Sequence, residues 1–183
     1  MKTALIVWLL LLLLMATSSH AQWAKTEFEE KANNQTGLKF GLPAKEHGGE
    51  IDVVCRSGKF KEAWLSTDKM AELREGKVDL EYRRDTETKA HRLRLYVSQD
   101  RHRVLLQRGE DTQLGIGAFS QSGFEQLLYG PLGFGGGPWR KNKKVNRWAH
   151  YVVLDVPAYP TSHFVYTFDV PDPSPVREAC GIH

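Results

Sequence analysis

Apolar and polar residues alternate most cleanly over Lys77–Arg84, where Val78, Leu80 and Tyr82 fall on one side and Asp79, Glu81 and Arg83 on the other. A period of two marks a strand with one face in water. His91–Val97 repeats the pattern, with Leu93, Leu95 and Val97 set against Arg92, Arg94 and Tyr96. A polar turn at 98–101 leads to a third short strand at 103–107. Short polar connections between such strands predict an antiparallel meander. Upstream, 51–56 is rich in β-branched residues, Ser57-Gly58 is a two-residue turn signal, and 59–65 reads as the return strand of a hairpin. Ser66, Thr67 and Asp68 offer N-cap oxygens to a short helix over 69–74, stopped by Gly76. A second helix is expected over Gly123–Tyr129, with Phe124, Leu127 and Leu128 on one side. Two strongly apolar segments, 148–156 and 164–170, are expected strands, and Asp172-Pro173-Ser174-Pro175 introduces a last short helix over 175–180. Long helices alternating with strands are absent. The pattern therefore predicts a mainly β, β-rich α+β fold: an antiparallel sandwich or barrel-like sheet of about seven strands with two or three short helices.

The beginning of the chain follows a different pattern. Lys2 precedes an unbroken apolar run from Ala4 to Ala16, and Thr17, Ser18, Ser19, His20 and Ala21 follow. A positive start, a short apolar core and small residues before a cut are the parts of a secretory signal peptide. The run is shorter than the roughly 20 residues of a spanning helix. Ser19 and Ala21 occupy the −3 and −1 positions, so cleavage between Ala21 and Gln22 is expected, with a periplasmic or secreted mature protein. Residues 1–21 are then a leader, and 22–48, polar and rich in Asn and Gly, a poorly ordered lead-in in which 23–31 offers only a thin helical stripe. Residues 49–183 form a single β-rich domain with a Gly-rich basic loop at 131–147.

Export fixes how the two cysteines are read. In an oxidising compartment, two cysteines in one domain pair with each other, so a Cys55–Cys180 bridge is expected, with a structural role. Neither sits in a C-x-x-C pair. The formal charge of the whole chain is +3, and Lys2 belongs to the leader. Such a balance does not argue for nucleic acid as a partner; any basic function must come from local clustering.

That clustering occurs once. Trp139, Arg140, Lys141, Lys143, Lys144, Arg147 and Trp148 set five cations between two indoles, without one acid, behind the glycines of 133–137. Such a loop suits an anionic envelope glycan or lipid, with the cations on phosphate or carboxylate and Trp at an apolar boundary. Read plainly, it is a solvated loop. The histidines lack H-x-x-x-H or H-x-H spacing, although His91 and His102, near the ends of neighbouring strands, are candidates to approach each other. Metal and cofactor sites are not expected. Ser120-Gln121-Ser122-Gly123 is no nucleophile elbow, and Gly115-Ile116-Gly117 lacks the third glycine of a dinucleotide site. A catalytic set is not legible; a secreted hydrolase built from distant residues is the third reading.

The order of short motifs resembles a known family. A first strand ends in Val53-Val54-Cys55-Arg56, and the run from Val78 to Asp85 has the form V-x-x-x-Y-R-x-D. Ser98-Gln99-Asp100 makes an S-x-D turn, Phe124 to Leu128 an F-x-x-L-L helix start, and Phe168-Asp169-Val170 leads through to Glu178-Ala179-Cys180-Gly181. This order, over about 50–181, is similar to the type VI secretion-associated VasI family of small bacterial exported proteins. The stretch 130–147 is longer than that pattern needs. The resemblance implies a periplasmic, non-enzymatic accessory protein without a cofactor; the leading reading of the chain is an exported β-domain whose surface recognises an envelope protein partner. It transfers no binding residue.

Overall fold

The computed structural model describes residues 21–30, 35–46, 48–71, 76–109, 123–129 and 148–181. Among these residues there are nine strands, β1 (Ala24–Glu30), β2 (Gln35–Pro43), β3 (Gly49–Arg56), β4 (Lys59–Thr67), β5 (Lys77–Arg84), β6 (His91–Val97), β7 (Arg103–Arg108), β8 (Tyr151–Ala158) and β9 (Ser162–Asp169), and two short helices, α1 (Gly123–Tyr129) and α2 (Ser174–Ala179). The fold is mainly β, as the alternation predicts. All nine strands form one antiparallel sheet in the order β1-β2-β3-β4-β7-β6-β5-β8-β9.

Local chemistry explains most of the connections. The β3–β4 hairpin turns at Ser57 and Gly58, with φ of 50° and 70°. Two successive positive φ values match the right-handed twist of the flanking strands. At the β5–β6 turn, Asp85 also adopts positive φ, and its carboxylate receives the N–H groups of His150 and Tyr151 at 2.8 and 3.0 Å. One turn residue thereby anchors the entry to β8. The meander β5-β6-β7 holds, and β4 returns beside β7 through the long β4–β5 connection, giving a Greek key.

The sheet curls around its own core. β9 lies ninth in the order, yet the Lys45 amide, just after β2, donates to the Thr167 carbonyl at 2.8 Å, and the Thr167 amide donates to the Glu46 carboxylate at 2.7 Å. Register shifts at Val54/Cys55 and Ala63/Trp64 add local bends. Alternate residues of successive strands converge in one core: Val53, Leu65, Leu80, Val104, Leu154 and Phe168 are at most 0% exposed. Phe124, Leu127 and Leu128 of α1 and Val176 of α2 add to this cluster.

Three expectations need correction. Residues 22–48 do not form a poorly ordered lead-in: they supply β1 and β2 and raise the strand number from about seven to nine. Trp23 is no part of a helical stripe; it is buried edge-on against Phe124, with ring centroids 6.4 Å apart. The described part of the expected 69–74 helix is not helical, because Ala71 bridges to Ala158 and the Met70 carbonyl accepts the Tyr159 amide. Pairing with a distant strand outweighs the local N-cap signal at Ser66–Asp68.

Candidate functional site

β5 and β8 pair only from Glu81 opposite Asp155 to Arg84 opposite Val152. β5 starts four residues earlier, at Lys77, and β8 continues to Ala158. Over that stretch the strands part. Pro157 has no N–H to offer a ladder, and Ala158 instead bridges to Ala71. The parting opens a groove of about 310 Å³ on the solvent face of the sheet, lined by Lys77, Asp79, Glu81, Arg92, Asp155 and His163, with Pro157 at its edge.

Strand register sets the charges of this groove. Glu81 stands between Arg92 on β6 and Asp155 on β8. Arg92 Nε donates to Glu81 Oε1 at 2.7 Å, and His163 Nδ1 lies 2.9 Å from Asp155 Oδ1. Asp79 is two residues from Glu81 on the same wet face and is exposed. The result is a mixed, open, strongly polar surface, able to hold a polar ligand through charge-assisted hydrogen bonds. Among the described residues, its lining contains no hydroxyl or thiol nucleophile.

The Cys55–Cys180 disulfide is present, with Cα atoms 5.2 Å apart and both residues buried. It ties β3 to the chain just after α2. Of the basic loop, Trp139, Arg140, Lys141, Lys143, Lys144 and Arg147 lie outside the described residues. Trp148 is half-buried, edge-on to His150 with centroids 5.7 Å apart. Beside it the Ala149 amide donates to the Leu128 carbonyl at 2.7 Å, so the chain leaving α1 and the chain returning to β8 meet there. The structure does not bring His91 and His102 together. His91 begins β6 and His102 immediately precedes its antiparallel neighbour β7, so they sit at opposite ends of the sheet. Among the described residues, no group of three His, Cys, Asp or Glu side chains is placed to hold a metal ion.

Sequence reasoning identified Asp79 and Glu81 as a wet strand face but did not join them to Asp155 and His163. The signal available was Pro157, since proline inside an alternating run marks a point where pairing stops. No family model, no curated protein and no solved structure matches the chain.

Proposed function

We propose that the protein is an exported, non-enzymatic binding or accessory protein of a bacterial cell envelope, in keeping with the resemblance to VasI-type proteins, and that the groove between β5 and β8 meets its protein partner. The observation that carries this reading is the buried Cys55–Cys180 disulfide, a bond suited to an oxidising compartment and to the leader at 1–21. The groove supports the binding part: two charge pairs, Arg92–Glu81 and His163–Asp155, cross between strands in it, and Lys77 and Asp79 add one charge of each sign. Fractionation of cells producing the native chain, followed by intact-mass measurement and cross-linking in the envelope, tests it. The expected result is a mature chain starting at Gln22 outside the cytosol, cross-linked to a defined partner, with cross-linking weakened by D79N/D155N. A full-length cytosolic chain would overturn the export reading. Undiminished cross-linking of D79N/D155N would remove the groove from it.

A second reading draws on the hydrogen bond between Ala149 and Leu128, which gathers the two ends of the basic loop at one point of the surface. Five cations attached there suit an anionic envelope glycan or lipid. Replacing Arg140, Lys141, Lys143, Lys144 and Arg147 by Gln should then abolish retention on immobilised envelope polysaccharide, with a steep salt dependence in the wild type. Equal retention would dismiss it.

A further inference from the structure

β4, β6 and β8 finish, and β5, β7 and β9 begin, at one end of the sheet. Cations lie over aromatic rings at this end. Lys69 Nζ is 4.4 Å from the Phe164 ring centroid and the Arg101 guanidinium 6.0 Å from that of Tyr159. On the adjoining outer face, Lys77 Nζ is 4.6 Å from the Tyr96 centroid and the Arg103 guanidinium 5.1 Å from that of Trp64. Among the described residues, none of these four cations has an ion-pair partner. Two exposed carboxylates share this end and hold its turns; the hydrogen bonds from Ser98 and His102, with Arg103 nearby, keep Asp100 below the usual carboxylate range and therefore charged. Asp68 accepts the Tyr166 hydroxyl at 3.0 Å, and Asp100 accepts the Ser98 hydroxyl and the His102 amide. Asp79 stands two residues beyond Lys77, in the groove.

The same end exposes apolar surface. Met70 is 47% and Tyr159 62% exposed, and they adjoin, because the Tyr159 amide donates to the Met70 carbonyl at 3.0 Å. The Ala71 amide donates to the Arg101 carbonyl, also at 3.0 Å. The described part of the β4–β5 connection, up to Ala71, is thereby fastened to the β6–β7 and β8–β9 connections in one platform. Its features are an apolar tip, a ring with a polar hydroxyl, and cations whose stems lie along aromatic faces. That is the chemistry that partitions into the headgroup layer of an anionic bilayer.

We propose that this end of the sheet docks on an anionic phospholipid bilayer, Met70 and Tyr159 entering the headgroup region while Lys69, Lys77, Arg101 and Arg103 meet lipid phosphates. A soluble polyanion would use the cations but leave Met70 and Tyr159 in water. The platform lies at the opposite end of β8 from Trp148 and Tyr151.

The test is co-sedimentation of the mature, disulfide-bonded chain with vesicles of phosphatidylcholine alone and of phosphatidylcholine with phosphatidylglycerol. Binding to the anionic vesicles only is expected, falling as salt is raised. K69Q and R101Q should each lower partitioning about fivefold. M70S/Y159S, two exposed changes, should lower it further without shifting the thermal midpoint. Equal binding to both vesicle types would overturn the proposal, as would full binding by K69Q/K77Q/R101Q/R103Q. Dextran sulfate supplies the remaining arm: if it binds as tightly as vesicles and M70S/Y159S leaves both unchanged, the surface recognises a soluble polyanion and the bilayer is excluded. If the five-fold Gln variant of the basic loop abolishes vesicle binding while the platform variants retain it, the loop is the contact and the platform is not.

Discussion

Phe60 donates its amide to the carbonyl of Cys180 at 2.9 Å, while Phe60 itself stands opposite Cys55 across the β3–β4 hairpin. The residues that carry the disulfide are therefore also joined through the backbone, and α2 is fastened to the hairpin twice. Cys55→Ser/Cys180→Ser should leave one of these attachments. Because the bridge closes a long loop, its loss should cost about 2–5 kcal/mol, read as a lower urea midpoint. The C-terminal segment around α2 should become the first site of proteolysis. Thiol labelling of the unfolded, unreduced mature wild type should find no free cysteine.

Tyr82 is 1% exposed and its hydroxyl has no hydrogen-bond partner among the described residues. A buried hydroxyl left unmatched costs more than the hydrogen atom that replaces it, so Tyr82→Phe should raise stability by about 1 kcal/mol in urea denaturation. By contrast, Leu80→Ala, at a neighbouring fully buried position, should lower it by about 2–5 kcal/mol through the cavity it leaves.

The same tyrosine sets an alkaline limit. Burial pushes the Tyr82 phenol up to about 12, and burial together with the hydrogen bond to Asp68 raises that of Tyr166. Folded-state values above the unfolded value mean that the unfolded chain releases these protons first. The associated stability is complete below about pH 10 and is lost as pH rises toward 12. Urea midpoints measured from pH 8 to 11.5 should fall above pH 10, and Tyr82→Phe should flatten that fall.

Gly123 opens α1 directly against β7. A Cβ there would lie 2.3 Å from the Leu106 carbonyl oxygen, a backbone atom that cannot swing away. Gly123→Ala should therefore destabilise the protein by about 1–3 kcal/mol, although alanine is the better helix former. A rise in urea midpoint instead would mean that α1 sits further from β7.

In the groove, Asp155 and His163 form an exposed pair. Asp155→Asn should shift stability by less than about 1 kcal/mol, since exposed pairs contribute little. That tolerance makes it a clean variant for binding experiments: an altered urea midpoint would show that the pair also holds β8 to β9.

The sequence was informative where one face of an element is wet and the other dry. Val78, Leu80 and Tyr82, and Leu93 and Leu95, point inward as their alternation requires, and α1 has the expected bounds. β1 escaped notice because most of its residues, including Lys25 and Glu27, are exposed, so no alternation develops. In β2, Gly41 separates the buried Phe40 and Leu42 and weakens the apolar signal. The strand order is non-local by nature: neither β4 beside β7 nor Asp155 beside Glu81 follows from residues near them in the chain. The aromatic-bound cations were hidden for the same reason, since Lys69 and Phe164 meet only once β9 has closed against the β4–β5 connection.

The hydrogen bond between Ala149 and Leu128 has an architectural consequence. It brings the exit from α1 and the entry to β8 to one fixed point, so the sheet is indifferent to how many residues travel between them. Closure entropy rises only slowly with length, by about 0.6 kcal/mol for each doubling. The socket is set by described residues on either side of 130–147, so exchanging the sequence between them for a shorter or longer one should leave the urea midpoint of the sheet nearly unchanged.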